Sequence, residues 1–248
     1  MTIQSENDIN IAANALSKAL SFEEGGAFAF RLLGIISATL KIANSWELWG
    51  PTDADHEEDF PEHGVSVNIA NGPESLLAAM AKYDDSDDRS GWAFFAENAM
   101  VAIDFPIWPI LSAPDSDYVH ECRVTVRINA GVNLTEDAVR DCFVQISQLV
   151  AAQELYAVLS RDSKYGKPPL DRAYFHDEPS DDYLHDVGWL NAYPADTPLD
   201  RTLLPPHARV WDDDGYVFIQ LNESPNALTH SDIDALFQAQ EAGIAQRR

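Results

Sequence analysis

Residues 122–129, with the sequence CRVTVRIN, alternate strictly between apolar and polar side chains. A period of two sends alternate side chains to opposite faces of a strand, so this stretch predicts a half-buried β-strand. Thr135 follows as a helix cap, and Glu136 and Asp137 are well placed against the positive end of the helix dipole. Apolar residues then recur at helical spacing, which predicts a helix packed on a sheet. These residues are Val139, Cys142, Phe143, Ile146, Leu149 and Val150.

Upstream of this segment the same kinds of signal recur. Apolar residues alternate at 9–13, which predicts a first strand. Ser21 and Glu24 form a capping-box pattern, which predicts the start of a long helix. Gly72-Pro73 opens a second helix, because proline is harmless at a first helical position. Residues 92–110 are apolar and interrupted by prolines, which predicts strand pieces at an edge or a bend.

Downstream, residues 155–159 predict a short strand. The stretch 160–207 is rich in proline and aspartate and is long for a connection, so it is either functional or contains hidden elements. Within it, Gly188-Trp189-Leu190 is interpreted as a buried anchor. Residues 210–221 predict a hairpin around an Asp-Asp-Asp-Gly turn, and a last helix is predicted to start near Ser231.

Composition limits the class of protein. The chain has 248 residues, of which 46% are hydrophobic, enough for a substantial core. We therefore predict one α+β domain over residues 1–248, mainly an antiparallel sheet with helices packed on it. No apolar run is long enough to span a membrane, and residues 1–10 lack the basic start of a secretory signal. Cys122 and Cys142 cannot build a disulfide framework and are expected to be buried thiols, so we expect a cytoplasmic protein.

Charge is the strongest compositional signal. The chain carries 41 acidic against 16 basic side chains, a formal net charge of −25. Such a field repels nucleic acid and anionic membranes and speeds association with basic proteins. The alternative is that the clusters are solvated loops, or that the whole composition reflects adaptation to salt. The acidic clusters are Asp53–Glu62, Asp84–Asp88, Asp177–Asp186 and Asp212–Asp214.

Catalytic motifs are absent from the sequence. We find no phosphate loop, dinucleotide-binding glycine pattern, zinc-binding histidine pair or nucleophile elbow. Asp84–Asp88 lacks the alternating oxygens of a calcium loop. Arg123 and Arg127 share one strand face and could grip an anion, although pairing with the chain's own carboxylates is favoured. We therefore expect no enzyme activity, no metal and no cofactor. The alternative is a metal-dependent hydrolase that uses the histidines and acids of His176–Asp186.

Several local patterns resemble the immunity protein 52 family of polymorphic-toxin and type VI secretion systems. The most specific is VGWLNAY at 187–193, similar to that family's glycine–tryptophan–leucine element. GYVFIQLNE at 215–223, followed by a helix around Ser231, is similar to the family's ending, and 119–159 has a similar layout. The resemblance extends over about residues 9–242. It implies a cytoplasmic inhibitor of a secreted toxin, and the toxins of this family imply a nuclease of the restriction-endonuclease type.

The resemblance and the charge together predict a protein that binds a basic toxin and occludes it, without contacting nucleic acid itself. Affinity would still need an apolar centre with aromatic anchors beside the charges. The alternatives are that the tryptophans are core residues, or that the acidic loops serve a regulatory or scaffold domain. The oligomeric state is left open. The candidate toxin-binding residues are Asp53, Asp55, Glu57, Glu58, Asp59, Glu62, Trp46 and Trp49.

Overall fold

A computed structural model of the chain describes residues 2–3, 8–18, 20–42, 45–49, 64–83, 91–105, 119–151, 154–160 and 187–247. The helices are α1 (Phe22–Leu40), α2 (Pro73–Met80), α3 (Glu136–Val150) and α4 (His230–Arg247). The first six strands are β1 (Thr2–Ile3), β2 (Asp8–Lys18), β3 (Ser45–Leu48), β4 (Val65–Asn68), β5 (Trp92–Ala96) and β6 (Ala99–Asp104). The others are β7 (Val119–Ile128), β8 (Leu134–Thr135), β9 (Glu154–Ser160), β10 (Leu190–Pro194), β11 (Arg209–Asp213) and β12 (Tyr216–Gln220).

Most strands join a single sheet. Ten of them lie in the order β11-β12-β10-β9-β2-β7-β6-β5-β3-β4, and β1 pairs with β8 in a separate short ladder. Every neighbouring pair is antiparallel. The predicted α+β class, with a mainly antiparallel sheet and helices packed on it, is confirmed.

One face of this sheet carries the core. The register places Ile11, Val126, Val101, Phe94 and Leu48 in one row across five strands, and all five are buried. We call this side the helix face because α1 and α3 pack on it. The Trp46 indole of β3 donates to the Ser37 hydroxyl of α1. The Phe143 ring of α3 contacts the Phe218 ring of β12 edge-on.

The opposite side, called here the open face, is covered at one end by α4. There Gln240 Nε2 donates to the Tyr193 hydroxyl over 3.4 Å. Tyr193 lies on β10 and its neighbour Ala192 points to the helix face, so β10 is enclosed from both sides. This explains why the sequence did not reveal β10. A strand buried on both faces loses the alternation that predicts strands.

The predicted helix starts are confirmed in detail. The Ser21 hydroxyl accepts from the Glu24 N–H over 3.2 Å, and the Glu24 carboxylate accepts from the Ser21 N–H over 2.8 Å. Thr135 caps α3 by accepting from the Ala138 N–H. The last helix begins at His230, one residue before the predicted start, because Thr229 supplies its cap.

The Gly-Trp-Leu segment is a buried anchor, as predicted. The Trp189 indole is buried and donates to the Asn222 carbonyl over 2.7 Å. Asn191 is also buried, and its side-chain amide both accepts from the Gly188 N–H and donates to the Gly188 carbonyl, each over 2.8 Å. The segment therefore fixes the entry of the chain into β10.

Candidate functional site

The two candidate tryptophans lie in opposite environments. Trp46 is 1% exposed and belongs to the helix face, where its indole N–H donates to the Ser37 hydroxyl of α1 over 3.3 Å. Trp49 is 46% exposed. Trp46 is therefore a core side chain, and a contact with a partner at this end of the sheet would use Trp49. The six acidic candidates, Asp53, Asp55, Glu57, Glu58, Asp59 and Glu62, lie outside the described residues, as do Asp84–Asp88 and His176–Asp186.

Trp49 forms an exposed aromatic patch with Phe95, which no motif in the sequence marks as a candidate. Its N–H donates to the Ala93 carbonyl over 3.0 Å, which extends the pairing of β3 with β5. Its indole meets the ring of Phe95 edge-on, with centroids 6.2 Å apart, and Phe95 is 37% exposed. The indole N–H also donates to the Glu47 carboxylate over 3.4 Å. We call Glu47, Trp49 and Phe95 the aromatic patch.

Chain connectivity joins the acidic segment 50–63 to this patch at both ends. Trp49 directly precedes the segment, and Gly64 directly follows it. The indole of Trp49 packs against Gly64 so closely that a Cβ at Gly64 would lie 2.6 Å from the indole nitrogen. A larger residue at position 64 would therefore displace the indole from this position. The segment that holds six acidic residues therefore starts and ends at an exposed aromatic side chain.

The patch continues along the open face of the sheet. Glu47, Phe95, Met100, Arg127 and Asn10 are cross-strand partners in one row from β3 to β2. Helix α4 lies at the other end of this face, over β10. The row combines one aromatic, one apolar, one amide and two charged side chains, all of them at least partly exposed, so it is a solvent-facing surface and not a core.

The two strand arginines share one face of β7, as predicted, and this is the open face. Arg123 and Arg127 are both exposed and alternate with buried residues of β7. Arg127 pairs with Asp8 of β2, whose other oxygen accepts from the Ala130 N–H over 2.8 Å. The predicted preference of these arginines for the chain's own carboxylates is confirmed for Arg127.

A polar network around the buried Asp232 fixes the start of α4. The Thr229 hydroxyl accepts from the Asp232 N–H, and the Asp232 carboxylate accepts from both the N–H and the hydroxyl of Thr229. Asn222 donates to Asp232 over 3.1 Å, and His207 contacts it over 2.9 Å. Burial alone would raise the pKa of Asp232, but these hydrogen bonds together hold it below its ordinary value. The network is a helix cap that ties α4 to the end of β12.

Neither cysteine is a reactive candidate. Cys122 and Cys142 are buried thiols outside any disulfide, as predicted. Burial raises the pKa of Cys142 to about 12, against the opposing hydrogen bond from Thr39. In the part of the chain that the structure describes, no three His, Cys, Asp or Glu side chains converge as metal ligands. No helix within that same part is both long and apolar enough to cross a membrane.

The fold and the surface define an α+β protein with a ten-stranded antiparallel sheet, with α1 and α3 on one face and with α4 and an exposed aromatic patch at opposite ends of the other. No protein-family model matches the chain, and no curated protein matches it. Among solved structures, the fold is similar to that of the T6SS protein PA0821 of Pseudomonas aeruginosa, with a TM-score of 0.52. The match covers 96% of this chain and 74% of that chain at 12% sequence identity. At this identity the likeness shows a shared fold.

Proposed function

We propose that the chain is an immunity protein of a type VI secretion system, which binds a cognate toxin and neutralises it by occlusion, without catalysis of its own. The fold likeness to a T6SS protein supports the secretion context. The resemblance of 187–193 and 215–223 to the immunity protein 52 family supports the role of inhibitor. The proposed place of action is the cytoplasm of the producing cell.

The observation that carries the proposal is the aromatic patch beside the acidic segment. Interfaces draw most of their affinity from a few well-packed aromatic anchors, and rim charges mainly govern the rate of encounter. Trp49 and Phe95 supply the anchors, and residues 50–63, with Asp53, Asp55, Glu57, Glu58, Asp59 and Glu62, supply the charge. We therefore propose that these anchors and the acidic segment, which is joined to the patch along the chain at Trp49 and Gly64, together form the toxin-binding site.

The charge also limits the toxin class. A nuclease presents a basic surface to the phosphate backbone of its substrate. This chain, with its net charge of −25, is attracted to that basic surface and repels nucleic acid. We therefore propose a nuclease toxin of the restriction-endonuclease type, covered at or beside its nucleic-acid-binding surface.

Co-expression with the toxin encoded by the neighbouring gene tests the function. We expect the chain to restore growth, to co-elute with the toxin on a sizing column and to suppress nucleic-acid cleavage by the purified toxin. The Trp49→Ala/Phe95→Ala double variant is expected to lose protection. Leu203→Ala removes an equally exposed apolar side chain, 43% exposed, from another part of the surface and should retain it. Failure of the unmodified chain to protect or to co-elute would exclude the proposal.

The same purified proteins distinguish an immunity protein from a scaffold domain and from a metal-dependent hydrolase. A scaffold domain would co-elute with a basic partner and leave its activity intact. A metal-dependent hydrolase at His176–Asp186 would carry a stoichiometric divalent metal, which elemental analysis of the purified chain measures. If the chain is stripped of metal and freed of chelator before it meets the toxin, the protective effect of a hydrolase would disappear, whereas inhibition by occlusion would persist.

A further inference from the structure

We propose that the chain pairs with a second copy of itself through the edge of β11 that no described strand covers, in an antiparallel register centred on Trp211. Among the described residues β11 pairs with β12 alone and forms one end of the sheet. The aromatic patch lies near the other end, on β3 and β5. The inference is therefore independent of the proposed function.

The backbone of β11 is set up for a further strand. Asp214 and Gly215 form a two-residue turn with φ values of 43° and 81°, as in a type I′ hairpin. Such a turn closes on the hydrogen-bonded pair Asp213 and Tyr216. Because hydrogen-bonding direction alternates along an antiparallel strand, the N–H and C=O groups of Asp212 and Val210 point to the free edge.

A groove lies beside this edge on the helix face. Its volume is about 470 Å³, and it is lined by Arg209, Trp211 and Asp213 of β11 and by Arg140, Asp141, Val144 and Gln145 of α3. One face of the Trp211 indole stacks on Phe218, with centroids 5.3 Å apart and planes at 12°. The groove adjoins the edge of β11 and has room for an aromatic side chain of an added strand.

The occupant that fits the charges is a second copy. Arg209, Trp211 and Asp213 share the helix face of β11, with the tryptophan midway between opposite charges. In an antiparallel pair centred on Trp211, each Arg209 lies opposite Asp213 of the other copy, so two ion pairs form by symmetry. The two Trp211 side chains meet at a non-hydrogen-bonded position, where cross-strand side chains approach most closely. A register centred on Asp212 would instead place like charges opposite each other.

The test uses charge exchange on the full-length chain. Molar mass by light scattering and sedimentation equilibrium, over a concentration series at physiological salt, is expected to give a dimer for the unmodified chain. Arg209→Asp and Asp213→Arg are each expected to raise the dimer dissociation constant about tenfold or more. The double variant Arg209→Asp/Asp213→Arg restores the pairs in reversed order and should recover the dimer, which a folding defect would not do.

Arg31→Asp is the matched control for Arg209→Asp, because it makes the same charge change at an exposed position of α1 and should leave the dimer intact. A chain that is monomeric over the whole series would overturn the proposal. So would a dimer that both single variants retain, since its contact would then lie on another surface.

Discussion

The indole of Trp49 meets the ring of Phe95 edge-on, with the ring centroids 6.2 Å apart and the planes at 80°. This is a favoured geometry for aromatic pairs, because the positive edge of one ring meets the negative face of the other. Packing against Gly64 holds the indole from a further side. The two exposed rings are therefore held in place before any partner arrives, which lowers the entropic cost of binding.

Removal of the Trp49 indole should weaken toxin binding. We expect Trp49→Ala to raise the dissociation constant about 30-fold, which corresponds to about 2 kcal/mol, as for an interface anchor. The effect should fall mainly on the dissociation rate, because packing and not long-range charge is lost. Surface plasmon resonance measures both rates, and Leu203→Ala is the control. Equal affinities for Trp49→Ala and Leu203→Ala would show that the aromatic patch is not part of the interface.

Reversal of charge in the acidic segment 50–63 should act mainly on the association rate. We expect Glu57→Lys/Glu58→Lys to slow association about tenfold at low salt, because the attraction that steers a basic partner is reduced. Dissociation should change little. Glu223→Lys/Glu241→Lys makes the same change in net charge at exposed positions elsewhere.

The salt dependence decides between local and overall charge. If the segment steers the encounter, the association rates of the unmodified chain and of Glu57→Lys/Glu58→Lys should converge as salt screens the field. An equal slowing by the control pair would assign the effect to net charge instead. If both variants and the unmodified chain associate at the same rate, the acidic segment does not steer the encounter. The same measurement can be extended to Asp55 and Asp59.

The Asn191 side chain should matter for stability and not for binding. Asn191→Ala leaves the N–H and the carbonyl of Gly188 without their 2.8 Å partners in a buried position, so we expect a loss of about 3 kcal/mol in the free energy of unfolding. Urea denaturation followed by circular dichroism measures it. Asn226→Ala, at an exposed position, should change stability by less than about 0.5 kcal/mol. Similar values for the two variants would contradict the role of the Gly188–Asn191 bonds.

Asp232 should make part of the stability pH-dependent. Its folded-state pKa is lowered, so the charged form stabilises the fold above the ordinary pKa of about 4, and this contribution is lost as the pH falls through the lower folded value. Asp232→Asn should therefore be less stable than the unmodified chain at neutral pH, and the difference should shrink below about pH 4. Urea midpoints from pH 7 to pH 3 measure this.

Asp234→Asn is the control for that series, because it neutralises an exposed carboxylate on the same helix. It is expected to change stability by less than about 0.5 kcal/mol at neutral pH. A difference between Asp232→Asn and the unmodified chain that stays constant over the whole pH range would show that the carboxylate acts only through shape and neutral hydrogen bonds.

Local signals in the sequence predicted much of the fold. The alternation at 122–129 and the capping residues Ser21 and Thr135 correspond to β7, α1 and α3, because strand pleat and helix capping act within a few residues. The hairpin at 210–221 is present, and its turn residues Asp214 and Gly215 have the positive φ that such a turn requires. The resemblance to the immunity protein 52 family stays a prediction.

The sequence alone determined the charge, the class of fold and the residues that start its helices, since each depends on composition or on near neighbours in the chain. Only the tertiary structure decided which tryptophan is available to a partner. Trp46 and Trp49 are three residues apart, but the first points to the helix face and the second lies on the open face. The order of ten strands determines which side of β3 is covered, and this order depends on pairings between distant segments.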